Sequence, residues 1–295
     1  MTISQTPSLA AAPATTGTAR RLRNFLRRND LALVGGLFFA VVIFCSVAAP
    51  LLTPYDPVKV DGQSLRLPPS LAHPFGTDDM GRDVLARTLY GGRTILSISL
   101  SAVGVALVLG VAVGLVAGYW RGRLDGIAMR IMDVMLSFPS VLLAILIVAG
   151  LGRGPANAVI AISFFMIPVF ARLARALVLA LVNEDYVLAA RALGASDWEI
   201  IRHHLLPNLI PPLIVQASAM LAIAISTSTA LNFLGLGVQR PTPDWGLMVA
   251  EGQELIFDAP HVPFFPGLVI TLTVVAVNFI GDGLRDRLDP KLRRL

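Results

Sequence analysis

The chain has 295 residues, 55% of them hydrophobic and only 15% charged, against about 25% charged in an ordinary soluble domain. It holds several uncharged runs long enough to match the ~20 residues that cross a bilayer as a helix, which excludes a soluble single-core protein; the runs also lack the alternation of barrel strands. The net charge of +5 reads as the basic excess that membrane proteins keep on the cytoplasmic side rather than a nucleic-acid footprint, and the single cysteine, Cys45, excludes an intrachain disulfide and the usual cysteine zinc sites.

Residues 1–19 are rich in Ala, Thr, Ser and Pro and are expected to be disordered, within a tail that extends to residue 30. Arg20, Arg21, Arg23, Arg27 and Arg28 precede a first apolar run, 31–52. A cleaved signal peptide looks similar, but this run is too long for a typical apolar signal region, so it reads as an uncleaved span. Pro50, Pro54 and Pro57 end it. Residues 53–93 form a polar outer connector. In it, Asp78, Asp79 and Asp83 suit a capped helix start, because the glycine and final glutamate of a calcium loop are missing.

Five further spans are expected near 94–119, 131–151, 156–176, 208–234 and 264–284. The second span carries Gly110, Gly114 and Gly118, overlapping small-xxx-small repeats that let another helix approach closely. The fourth is interrupted by Pro168, and Arg172 and Arg175 shorten its apolar run; their long stems can snorkel to the interface. Six spans place both termini on one side. With the termini inside, inner segments carry 17 Arg and Lys and outer segments 7, which favours cytoplasmic termini.

Between the fourth and fifth spans lies a charged segment, 184–207, EDYVLAARALGASDWEIIRHHLLP. Residues 186–193 read as a short helix that Asn183 or Asp185 can cap, with Ala189, Ala190 and Ala192 as strong helix formers. Gly194 suits a left-handed helix end. Ser196, Asp197, Trp198 and Glu199 fit the S-x-x-E capping box that starts a second helix, on which Trp198, Ile201 and Leu205 recur at helical spacing. Pro207, Pro211 and Pro212 are expected to separate that helix from the fifth span. Trp198 reads either as a docking knob for a partner or as an interfacial belt residue.

The fifth span carries a polar run from Ser226 to Thr229, with Gln216 and Asn232 around it, and Asn278 lies in the last span. These side chains either line a translocation path or bond their own helices. No phosphate-binding G-x4-G-K-[ST] loop is present, and Lys59 and Lys291 are the only lysines. Ion-coupled transporters keep ionisable groups near mid-membrane, whereas Asp133, Arg172, Arg175 and Asp282 fall near the cytoplasmic span ends. Inverted repeats are not apparent either. His203 and His204 are adjacent and point to different faces, and His73 and His261 stand apart, so no metal site is expected in this chain.

The 184–207 segment resembles the EAA loop of ABC-importer permeases, E-A-A-x3-G-x9-I-x-L-P. Leu188, Ala189, Ala190, Gly194, His204, Leu206 and Pro207 occupy its positions. Leu188 stands where the pattern has an acidic residue and His204 where it has isoleucine. HPFGTDDMGRDVLARTLYGGR, FLGLGVQRPTPDWGLMVAEG and FPGLVITLTVVAVNFIGDGLRDRLDPKL are similar to the oligopeptide/dipeptide/nickel branch of that family, nearer its C-type permease. The resemblance spans roughly residues 25–292.

It implies an all-α, six-span, type I importer permease fold with a cytoplasmic coupling helix, in a bacterial inner membrane. The implied organisation is a cytoplasmic tail (1–30), a first span and connector (31–93), a five-helix core (94–290) and a cytoplasmic tail (291–295). The implied partners are a homologous second permease, two cytoplasmic ATPases and an extracytoplasmic solute-binding protein. ATP and Mg would be bound by the ATPases, with no cofactor in this chain. The role implied is transport of peptides or a related small solute, without catalysis. An ion-coupled secondary transporter and a non-transporting membrane scaffold are the alternatives.

Overall fold

A computed structural model describes residues 16–288, with side chains from residue 31; residues 1–15 of the expected 1–30 tail, and the expected tail at 291–295, lie outside the described residues. The described chain is helical, with one isolated bridge between Thr77 and Asp83. In order come α1 (Thr16–Val47), α2 (Ala49–Leu52), α3 (Val84–Trp120), α4 (Gly122–Leu136), α5 (Ser140–Leu151), α6 (Pro155–Leu181), α7 (Asp185–Ala192) and α8 (Asp197–Glu199). A π-helical segment, Ile200–Leu205, leads into α9 (Leu206–Phe233), followed by α10 (Trp245–Gly252) and α11 (His261–Leu288). We call the end of the bundle at α7 and α8 the hairpin end and the opposite one the connector end.

Four described helices are long and apolar enough to cross a membrane: α3, α6, the joined run Asp197–Phe233, and α11. That makes a multi-pass membrane protein, but the expected six crossings are not reached by length and composition alone. The 131–151 run is broken into α4 and α5, which meet at 92° and make five crossings if the pair counts as one. The break falls at Pro139, which caps α5; a proline disfavours helical backbone at the preceding residue, here Phe138. The apolar part of the first helix, Leu31–Val47, is shorter than the others. Its helix reaches back to Thr16 through the basic stretch, where a partly disordered tail is expected.

The core is the contact of α3 with α6. A Cβ on Gly114 would lie 2.2 Å from the Ala171 carbonyl oxygen, one on Gly110 2.6 Å from that of Ile167, and one on Gly118 2.9 Å from Val178 Cβ. Backbone therefore meets backbone along this seam. Around it, Ile162, Met166, Phe170, Leu205, Leu209 and Leu231 are fully buried.

At the connector end, α3 begins at Val84, ahead of the expected span start at 94. Asp83 caps it, accepting from the Ala86 amide at 2.6 Å. Arg87 and Arg93 are thus helical residues rather than connector. Arg82 and Arg87, both buried, converge on Glu251 of α10 at 3.2 and 2.9 Å, and Arg82 Nε reaches Asp78 at 2.7 Å. Arg240 adds a 2.6 Å contact to Glu251. The connector folds back over α11, where Phe75 stacks on Phe265 at 4.0 Å between centroids. Neither histidine at the connector end stands alone: His73 Nδ1 is 2.9 Å from Asp83 Oδ2, and His261 Nε2 is 3.1 Å from the Thr77 carbonyl.

Candidate functional site

The hairpin is built by local chemistry. The short helix α7 ends in two bonds that satisfy its last carbonyls: the Gly194 amide donates to Arg191 and the Ala195 amide to Ala190, the pairing of a Schellman motif. This requires a left-handed residue, and Gly194 has φ of +89°. Its N-terminal cap is Glu184, without a side-chain bond; Asn183 instead donates to the Leu179 carbonyl at 3.3 Å, so neither expected capping residue acts. At the second corner Ser196 and Glu199 form both bonds of the capping box.

The expected separation of this helix from the fifth span does not occur. Residues Asp197–Phe233 form one continuous helix. The Leu206 amide bonds to the Ile201 carbonyl, five residues back. That widened turn comes just before Pro207, whose ring would strain a regular α-turn and which has no N–H to offer. Pro211 and Pro212 lie inside α9.

The hairpin divides into an inner and an outer surface. Val187, Ile200, Ile201 and Leu205 are buried in the main core. Trp198 does not join Ile201 and Leu205: it is 64% exposed, and Leu193 at the tip is 89% exposed. Leu188, Ala189, Gly194, Ser196, Asp197 and Glu199 are also exposed, Ala190, His204 and Leu206 half-buried, and Pro207 exposed. The outer surface therefore presents apolar groups held on two capped turns.

The hairpin is also tied to α3. The Tyr119 hydroxyl donates to Asp197 Oδ1 at 2.5 Å and accepts from Arg191 Nη2 at 3.2 Å, with the Arg191 guanidinium 5.7 Å from the Tyr119 ring. Nearby, Arg175 of α6 grips Asp125 of α4 through two bonds of 2.5 and 2.7 Å, and Arg172 meets Asp133 at 3.0 Å. Tyr119 and Arg191 were not evident as site residues from sequence; a tyrosine closing an uncharged run was the one available signal.

The candidate path residues separate into three groups. Gln216 and Asn278 face one open cavity of about 500 Å³ between α6, α9 and α11, beside Asp282 and Arg285. Ser226 bonds its own helix, donating to the Ala222 carbonyl at 3.0 Å. Asn232 is fully buried and accepts from the Val238 amide at 2.8 Å, so it fastens the loop after α9 instead of lining the cavity. Thr229 lies next to it, its backbone against Gly246 and its hydroxyl buried without a partner among the described residues. Among the described residues no group of three or more potential metal ligands comes together.

A bundle of long apolar helices with a capped, exposed hairpin defines a multi-pass membrane protein. Comparisons place it further. Residues 110–294 match the model for the binding-protein-dependent transport system inner membrane component, and residues 19–69 that for the N-terminal TM domain of oligopeptide transport permease C. The dipeptide transport system permease protein DppC of Alkalihalophilus pseudofirmus is 45% identical over 268 residues, covering 91% of this chain and 88% of the relative. The glutathione transport system permease protein GsiD of Pectobacterium atrosepticum is 45% identical over 272 residues, covering 92% and 90%. The di/tripeptide transport system permease protein DppC of Pseudomonas aeruginosa is 46% identical over 271 residues, covering 90% and 89%.

An inward-facing structure of the MetNI methionine ABC transporter matches with a TM-score of 0.56 at 20% identity, over 68% of this chain and 96% of that one, a likeness of fold. The chain belongs to the family of binding-protein-dependent transport system inner membrane components. It is an ABC-importer permease, a transport subunit rather than an enzyme.

Proposed function

We propose that this chain forms half of the passage of an ATP-driven peptide importer in a bacterial inner membrane, with both termini and the hairpin in the cytoplasm. A second, homologous permease completes the passage. Two ATPases, which bind ATP and Mg, seat on the hairpins of the two permeases, and a binding protein delivers solute at the connector end. The basic census supports the orientation, and the names of the similar permeases support peptides as the solute class.

The observation that carries the reading is the hairpin surface. Trp198 and Leu193 stand exposed on a rigid, doubly capped corner whose inner face is built into the core. Aromatic anchors on preorganised turns are what a partner's pocket takes hold of. Closure of the ATPases would move the corner. Two routes lead from it: the continuous helix Asp197–Phe233, and the Tyr119 link to α3.

The test is co-purification and transport with Trp198→Ala in the complete importer. The expected result is a fall in dipeptide transport per ATP hydrolysed, with at least about 2 kcal/mol lost from ATPase docking if the indole fills a pocket. Wild-type transport per ATP, with wild-type ATPase retention, would remove Trp198 from the coupling surface.

A further inference from the structure

The cavity between α6, α9 and α11 is lined by two opposite charges of α11. Arg172 and Arg175 of α6 are each paired with an aspartate of α4. Asp282 and Arg285 of α11 are not. They sit three residues apart, a spacing that puts both on one helix face and normally allows an ion pair. Both line the cavity and both are exposed, yet they bond neither each other nor any other group among the described residues.

Gln216 and Asn278 face the same space from α9 and α11, and Leu173, Pro212 and Val215 give it an apolar wall. A cavity of about 500 Å³ falls within the range that holds small ligands, roughly 300–1,000 Å³. The cavity thus offers one fixed negative charge, one fixed positive charge, and neutral amides with both donors and acceptors. A molecule with an ammonium at one end, a carboxylate at the other and an amide between them satisfies all three. Two opposite charges also discriminate against molecules with only one, because one protein charge then forgoes its charge-assisted bond.

We propose that this cavity is a transit station for short zwitterionic peptides, with the peptide ammonium at Asp282 and its carboxylate at Arg285. This rests on the importer reading above and adds to it a residue-level selection by the permease itself, separate from that of a binding protein. The rival occupant is a side chain of the second permease that pairs with Asp282 and Arg285 to hold the two subunits together.

The test uses the purified complex of both permeases and both ATPases, without binding protein. Binding of dialanine, N-acetyl-dialanine and dialanine amide is measured by saturation-transfer NMR. Wild-type complex should bind dialanine about tenfold more tightly than either derivative, the scale of one charge-assisted hydrogen bond. Asp282→Asn should lose the preference against the N-acetyl form and keep that against the amide; Arg285→Gln should do the reverse. Equal binding of all three by the wild type, or variants that keep both preferences, overturns the station. Loss of the second permease from both variant complexes, with both preferences falling together, assigns the pair to the subunit interface and also overturns it. Failure of wild-type vesicles, supplied with MgATP and binding protein, to accumulate dialanine would instead reject the peptide importer itself.

Discussion

At the scale of single residues, Tyr119 is the side chain that hydrogen-bonds α3 to the hairpin. Its hydroxyl both donates to Asp197 and accepts from Arg191, so Tyr119→Phe removes two bonds while keeping the ring. About 1 kcal/mol of hairpin tethering should be lost. The expected outcome is intact assembly with ATPases but fewer peptides moved per ATP; an unchanged ratio in vesicles would detach Tyr119 from force transfer. Sequence could not show this link, because Tyr119 and Asp197 are far apart in the chain and only the fold brings them together. The Gly194 corner and the Ser196–Glu199 box were legible, since both depend on neighbours within a few residues.

Asp244, the fully buried cap of α10, gives a pH signature. Burial pushes its carboxyl up from 3.8 to about 6, against the Leu247 and Gly246 amides and Asn232, which pull it down. A folded pKa above the unfolded one means that the folded chain holds the proton more tightly. The resulting stabilisation is full below the unfolded value and lost as pH rises through about 6, a span worth roughly 3 kcal/mol. Melting temperature in detergent should therefore fall between about pH 4 and about pH 7. Asp244→Asn, which keeps an acceptor for the two amides and removes the charge, should flatten that slope; an equally steep fall in the variant would place the titrating group elsewhere.

At the scale of elements, the seam of α3 with α6 and the clamp at the connector end bear most of the load. A side chain on Gly114 would run into the Ala171 carbonyl, whereas Gly104, on the same helix, has nothing within 4 Å of an added Cβ. Gly114→Val should cost at least about 1–3 kcal/mol by forcing the helices apart. Gly104→Ala should be neutral or stabilise by up to about 1 kcal/mol through helix propensity. Thermal unfolding of the two variants decides it, and similar losses at both positions would mean that the seam is not tight.

The small-xxx-small spacing made this packing face readable in sequence, but not its partner helix. At the clamp, Glu251 answers Arg82, Arg87 and Arg240. Glu251→Gln should cost about 3–5 kcal/mol, because it leaves buried guanidinium charge with too little to balance it. Arg240→Gln, at an arginine 58% exposed, should cost under about 1 kcal/mol. Equal melting temperatures for the two variants would refute the clamp. Arg82 and Arg87 read as ordinary connector charges in the sequence, since the carboxylate they meet comes from α10.

At the scale of the whole molecule, hydrophobic run length revealed a helical membrane protein but not the bend within its third run. A run of apolar residues records lipid or protein surroundings without recording direction, so the bend between α4 and α5 passed unseen although Pro139 marked it. The opposite error occurred at Pro207. Proline signalled a helix end, and the π-helical segment before it let the helix continue.

That continuity has a consequence for how such a subunit keeps its membrane sealed. Residues Asp197–Phe233, 37 in all, make a rod about 55 Å long at 1.5 Å per residue. One tip bears the exposed tryptophan and the other the buried asparagine that pins the opposite loop. A stiff rod pinned at the Asn232 tip, and moved by a partner at the Trp198 tip, cannot shift one mouth of a channel and leave the other in place. Opening toward one compartment and shutting toward the other become a single event, so tightness against leakage arises from stiffness and needs no separately timed gates. What give the rod has lies in the widened turn at Ile200–Leu205 and at Pro211 and Pro212, close to where the force enters.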